Sequence, residues 1–248
     1  MDKDNKQATL ELGTKPVGKL LLQYALPAII AMTASSLYNI IDRIFIGQVV
    51  GAMAISGLAI TFPFMNLSAA FGAAVGVGAS TAISVKLGQR DYRTAEHLLG
   101  NTVTLSLLVG ICFGLVCFIF LDPILRVFGA SDETIPYARS FMQVILLGNA
   151  VTHLYFGMNA VLRAAGKPRQ AMRATIVTVV LNIIFVTIFI LWFGWGIRGA
   201  AFATILSQSL ALIYQMRLLT NKREFLHLKP GIYRLKKVLV KNILEIGI

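Results

Sequence analysis

Ala171–Phe193 reads AMRATIVTVVLNIIFVTIFILWF. After Arg173 it carries no charged residue, and its one side-chain amide is Asn182. A helix needs about 20 mostly apolar residues to cross a hydrocarbon layer of about 30 Å, and this stretch supplies them. Five more stretches of the same kind surround it: Leu20–Ile46, Ala54–Val85, His97–Leu121, Thr134–Leu162 and Ile197–Leu219. The composition agrees, at 56% hydrophobic and a mean hydropathy of +0.74. The sequence therefore predicts an all-α integral membrane protein, a bundle of six transmembrane helices. Glycine and proline inside the spans are compatible with this, because neighbouring helices satisfy the freed backbone groups.

The net charge of +12 is a topology signal, and no nucleic-acid partner is expected. All but four of the 23 lysines and arginines fall before the first span, after the even-numbered spans, at the start of the fifth or at the end of the sixth. The exceptions are Arg43, Arg126, Arg139 and Arg198. Cytoplasmic loops carry the excess of basic residues, so the N-terminus and the tail after the sixth span are both expected in the cytoplasm. The expected location is the cell (inner) membrane, multi-pass, with the lipid bilayer as a partner. Residues 1–16 lack the short apolar core and small-residue cleavage site of a signal peptide, so the first span is expected to remain in the chain. Trp192, Phe193 and Trp195 fit an aromatic belt where the fifth span leaves the membrane.

The expected organisation is a polar segment over 1–19, the six-helix lobe over 20–219, a basic linker over 220–237, and the start of a further helix over 238–248. The loops between spans are too short for a separate domain. Small residues concentrate in two places: Ala69–Ser80, with Gly72 and Gly76 four apart, and Gly199–Ser207. Both suit close helix packing. Cys112 and Cys117 read as small apolar residues of the third span, and the three histidines lack ligand spacing. With no nucleophile–base pair or metal cluster, no enzymatic activity is expected, and no cofactor.

Ionisable groups inside a bilayer are costly and need a reason. Asp42 follows Tyr38 and Asn39, 15 residues beyond Pro27, about 22 Å along the axis. It reads either as a carboxylate facing a cavity, able to exchange a proton or hold a cation, or as a hydrated helix end. Arg43 is expected to point to a different azimuth. Asn159, Asn182, Thr204 and Gln208 serve either as interhelical hydrogen-bond partners or as the wall of a polar pocket. Pro27 and Pro63 are candidate hinges.

The ordered set of Ala25-Leu26-Pro27, Tyr38–Gly47, Gly76–Ser80, Leu87-Gly88-Gln89, Leu162–Pro168, Leu181–Ile184, Gly199–Thr204 and Ser207-Gln208 resembles the multidrug and toxic compound extrusion (MATE) family. The resemblance runs from about Leu12 to Ile248. It implies one lobe of a twelve-helix transporter plus the start of a seventh helix, with a missing C-terminal lobe as partner. The implied activity is export of small organic, often cationic, substrates in exchange for H+ or Na+. The resemblance makes Asp42, Asn182 and Thr204 the ion-coupling residues, with a Na+ at Asp42 as one option. Tyr38, Asn39, Asn159 and Gln208 become cavity residues. Two departures stand out: Val186 occupies a position where many relatives have a second carboxylate, and Phe141 replaces an aromatic hydroxyl. A flippase for lipid-linked or polysaccharide precursors, and a half-transporter inactive alone, are the alternatives.

Overall fold

The computed structural model describes residues 16–221 and 226–247. Lys3, Lys6 and Lys15 of the N-terminal segment, Lys222 and Arg223 of the linker, and Ile248 lie outside the described residues. The helices are α1 (Val17–Phe45), α2 (Ala52–Gly88), α3 (Tyr92–Ile119), α4 (Leu121–Val127), α5 (Ile135–Leu147), α6 (Asn149–Ala164), α7 (Pro168–Thr187), α8 (Gly196–Leu219) and α9 (Lys237–Gly247). Five helices are long and apolar enough to cross a membrane, and the pair α5–α6 supplies a sixth span. The protein is an all-helical, multi-pass membrane protein.

Two elements differ from the expectation, and α2 is long, as its sequence implies. A π-helical segment, Ile46–Val50, continues α1 beyond Phe45. Asp42 therefore lies eight residues, about 12 Å, short of the end of the helical run. α2 is 37 residues long, about 55 Å, well beyond the thickness of the hydrocarbon layer. The expected fourth span is not one helix: α5 and α6 meet at Gly148 with a bend of 58°.

That bend is made by close packing. A Cβ on Gly110 of α3 would stand 2.7 Å from Ala150 Cα, and one on Gly114 would stand 2.8 Å from the Leu146 carbonyl oxygen. The two glycines are four residues apart, so they open one groove on α3, and the broken span lies in it. Asn149 Nδ2 then donates to the Gly110 carbonyl at 3.0 Å, tying the bend to α3. Of the two expected small-residue faces, Gly76 of α2 backs onto Gly157 of α6, and Gly199 of α8 onto Phe189. Pro27 and Pro63 lie inside α1 and α2, both assigned as continuous helices.

Two apolar clusters form, one toward each end of the bundle. One holds Ile46, Phe64, Leu125, Phe141, Met142, Val186 and Ile190. Beside it, Trp195 stacks on Phe189 with centroids 5.1 Å apart and meets Phe202 edge-on. The other, at the basic end, holds Ile83, Leu98, Leu99, Met158, Leu162 and Leu219. Between them runs a polar layer: Ser68 on α2, Asn149 to His153 on α6, Asn182 on α7, and Thr204 to Gln208 on α8.

The second cluster also contains Leu226, Leu228, Ile232 and Ile243, so the segment after α8 is folded onto this lobe. Residues 226–236 form a strap over the start of α3. Glu96, 6% exposed, receives Lys229 Nζ and stands 3.2 Å from His227 Nδ1. Asn101 Nδ2 donates to the Arg234 carbonyl at 3.2 Å, and Asn101 Oδ1 accepts the Lys236 backbone N–H at 2.8 Å. Thr104 Oγ1 donates to the Tyr233 carbonyl at 2.8 Å. α9 then packs along α2 and touches α3, with Ile243 fully buried.

Candidate functional site

α1 packs chiefly along α7, while α2 packs against α3, α6 and α9. That arrangement leaves a cavity of about 280 Å³ walled by α1, α2, α5, α6 and α8, level with the polar layer. α1 contributes Tyr38, Asn39, Asp42 and Arg43; the first, second and third share a helix face at spacings of three and four. α8 contributes Thr204 and Gln208, one turn apart, and α2 contributes Phe62, Asn66, Ser68 and Gly72. The floor is apolar, with Phe141, Met142 and Ile145 from α5.

Five of the residues singled out in the sequence thus meet at one cavity: Tyr38, Asn39, Asp42, Thr204 and Gln208. Asn182 stands behind the wall. It is buried, and its Nδ2 donates to Thr204 Oγ1 at 3.2 Å, while Thr204 Oγ1 donates to the Ala200 carbonyl at 3.1 Å. Asn182 therefore positions the hydroxyl of Thr204, a residue that lines the cavity. Asn159 lies elsewhere. Its Nδ2 bonds the Ala171 carbonyl and Thr175 Oγ1, both at 3.2 Å, and its Oδ1 accepts from Arg163. Those bonds join α6 to α7 toward the basic end, and Asn159 is not among the residues lining the cavity.

Arg43 corrects the azimuth argument. It lines the same cavity as Asp42, because its long side chain reaches across and lies over the Phe62 ring, 5.4 Å from the centroid. A guanidinium on a ring face is held by the ring quadrupole, and its stem covers apolar surface. Asp42 Oδ1 is buried and, among the described residues, has no hydrogen-bond partner. A buried carboxylate oxygen without a donor is costly, and a proton, a cation or a substrate donor would satisfy it. Val186 and Phe141, the two departures, are both buried in the apolar cluster beside the cavity.

Among the lining residues not selected from the sequence are Ser68, Asn149, Thr152 and His153. Thr152 Oγ1 donates to Gln208 Oε1 at 2.7 Å, linking α6 to α8. Ser68 Oγ donates to Asn149 Oδ1 at 2.9 Å and sits 3.1 Å from His153 Nε2. The available signal was the spacing: Asn149 and His153 are four apart on a helix and share one face.

Comparison with known proteins identifies the family of the fold. The family model described as MatE matches residues 27–188. The multidrug export protein MepA of Staphylococcus haemolyticus (strain JCSC1435) is 29% identical over 230 residues, covering 93% of this chain and 51% of that protein. MepA of Staphylococcus aureus (strain NCTC 8325 / PS 47) is 28% identical over 233 residues, covering 94% and 52%. A solved MOP superfamily transporter from Pyrococcus furiosus Vc1 (DSM3638), described as having a binding pocket of reverse polarity that suggests a different function, superposes with a TM-score of 0.90. It is 27% identical and covers the whole of this chain and 54% of its own. An outward-facing multidrug resistance MATE family transporter gives 0.89 at 27% identity, with the same coverage. The chain thus spans about half the length of the relatives it matches. The family model covers well over half of the residues, and the chain belongs to the MatE family.

Proposed function

We propose that this chain forms one lobe of a cation-coupled antiporter that exports organic, chiefly cationic, compounds. The observation that carries this reading is Asp42, a carboxylate with an unpartnered buried oxygen on the wall of a largely apolar cavity. Aromatic and aliphatic surface suits the body of an organic cation, and the carboxylate suits its charge. A proton or Na+ arriving at Asp42 competes for the same charge, so loading the ion releases the substrate. Thr204, held by Asn182, and the hydroxyl of Tyr38 offer further oxygens near that carboxylate. A second lobe, covering the exposed apolar face of α1, would allow the two lobes to rock between inward and outward access. In this reading the N-terminus is cytoplasmic and the membrane is the plasma membrane.

The test is drug export by cells carrying Asp42→Asn, with the protein quantified in the membrane. The expected result is normal abundance and a loss of proton- or sodium-driven export of at least about fivefold. Unchanged export by that variant would remove Asp42 from the coupling site. The chain is assayed alone and together with a C-terminal half of a relative, which distinguishes a self-sufficient lobe from a component.

Arg43 favours a second reading, in which the cavity takes an anionic headgroup and the protein flips a lipid-linked precursor. Under that reading Arg43→Gln abolishes rescue of a flippase-deficient strain, whereas under the first it leaves such a strain unrescued in either form.

A further inference from the structure

The bonding of His153 is determined by its neighbours. It is 1% exposed and lines the cavity. Asn149 Nδ2 donates to the Gly110 carbonyl, which fixes the amide and leaves Asn149 Oδ1 to face Ser68. Ser68 gives its one proton to that oxygen. At 3.1 Å from His153 Nε2 the hydroxyl therefore only accepts, and Nε2 carries hydrogen. Nδ1 is then a lone-pair acceptor. It is buried, and among the described residues it has no hydrogen-bond partner. Gly72 packs against the ring: a Cβ at that position would stand 3.4 Å from Cγ and 3.6 Å from Nδ1, an ordinary contact.

A buried acceptor without a donor costs free energy in any setting. A proton on Nδ1 exchanges the bare acceptor for an N–H whose acceptor must come from the cavity, and it leaves the Nε2–Ser68–Asn149–Gly110 chain of bonds as it is for the neutral ring. The groups facing the ring are uncharged on most sides: Ser68 and Gly72 from α2, and the Phe113 ring of α3 with centroids 6.4 Å apart. α5 and α8 present no ionisable group to the cavity, and the charged groups sharing it are Asp42 and Arg43 of α1, with Tyr38 beside them. While Asp42 is ionised and holds no ion, it and Arg43 cancel formally, and His153 then decides the sign of the cavity's charge.

We propose that His153 is a second proton-binding site of this cavity, taking a proton on Nδ1 and thereby expelling an organic cation from beside Asp42. With a neutral ring the cavity carries no formal net charge and accepts a cation. With an imidazolium it carries one positive charge and rejects it. A second carboxylate, absent at Val186, is not needed for a second titrating group. The inference deepens the antiport reading and rests on it for the ligand, but not for the protonation itself.

The protein is labelled with ¹⁵N at its histidines and placed in lipid nanodiscs, where the three imidazoles give few signals. His97→Gln and His227→Gln identify His153 without altering it. The expected spectrum shows a protonated Nε2 and a bare Nδ1 near pH 8, and both nitrogens protonated on acidification toward about pH 5. Tetraphenylphosphonium shifts that titration to lower pH, and its affinity falls about tenfold over the same range, as reciprocal coupling requires. In His153→Gln that pH dependence is lost. A proton on Nδ1 at high pH, a ring that does not titrate in this range, or an unchanged pH profile in His153→Gln overturns the proposal. If Nδ1 titrates but tetraphenylphosphonium does not bind at any pH, the proton site stands and the export of organic cations fails.

Discussion

α1 and α3 are both apolar membrane helices, yet they are held in opposite ways. In the most apolar stretch of α1, 6% of residues are buried; in that of α3, 39% are. α3 is gripped along its length: Leu98 and Leu99 are buried, Gly110 and Gly114 receive the broken span, and Asn101 holds the strap. α1 rests chiefly on α7, and Leu22, Ile29, Leu37 and Ile44 lie exposed. The helix that carries the cavity carboxylate is thus the one least committed to its own lobe. In a bilayer little hydrophobic force drives helices together, so contact quality decides which of them can shift. α3 has the features of a frame and α1 those of a moving part.

The sharpest way to break this contrast is to add the same bulk to each helix. Gly110→Leu forces a side chain into the backbone of Ala150, and it should remove most folded protein, exceeding the about 1–3 kcal/mol of ordinary overpacking. Gly18→Leu on α1 meets nothing within 4 Å and should leave abundance unchanged, both read as detergent-solubilised protein that survives heating. Equal losses would end the distinction. A smaller effect is expected from Asn101→Ala, which leaves the Lys236 N–H and the Arg234 carbonyl without their partner. It should cost about 1–3 kcal/mol and expose residues 226–236 to protease while α1 is cleaved no faster than in the parent. The smallest concerns the start of α3. Asp91 caps it by accepting the Thr94 backbone N–H at 3.1 Å, and hydrogen bonds with Thr94 hold its carboxyl below the ordinary carboxylate range. A depressed carboxyl stabilises above its unfolded value, about pH 3.9, and the contribution disappears as pH falls through the folded value. Asp91→Ala should therefore lower thermal stability slightly at neutral pH and not at all in strong acid.

The contrast also separates what the residues announced from what they concealed. The six spans were readable because hydrocarbon thickness imposes one length and one composition on each. Asp42, Thr204 and Gln208 were readable because polar groups in such spans are conspicuous. The break at Gly148 was not, for no proline marks it. It results from a groove on another helix, and the Gly110/Gly114 spacing becomes meaningful only once α5 and α6 are seen lying in it. His153 was passed over for a similar reason. Its partners Ser68 and Asn149 come from two helices, and a lone histidine in an apolar stretch gives no sign of a fixed tautomer. Arg43 was misjudged because azimuth was taken from the backbone alone, whereas a long side chain chooses its own direction. Asn159 matched a pattern, yet its amide belongs to the joint between α6 and α7.

The strap gives α3 a further property. Asn101 and Gly110 are nine residues apart, about 14 Å along one unbroken helix. A pull on the segment after α8 would reach the start of α3 through Asn101, Thr104 and Glu96, and the helix would carry it to the joint beside Asn149. The strap after α8 is thus joined to the wall of the cavity through one continuous helix, which sets a fixed spacing between the two.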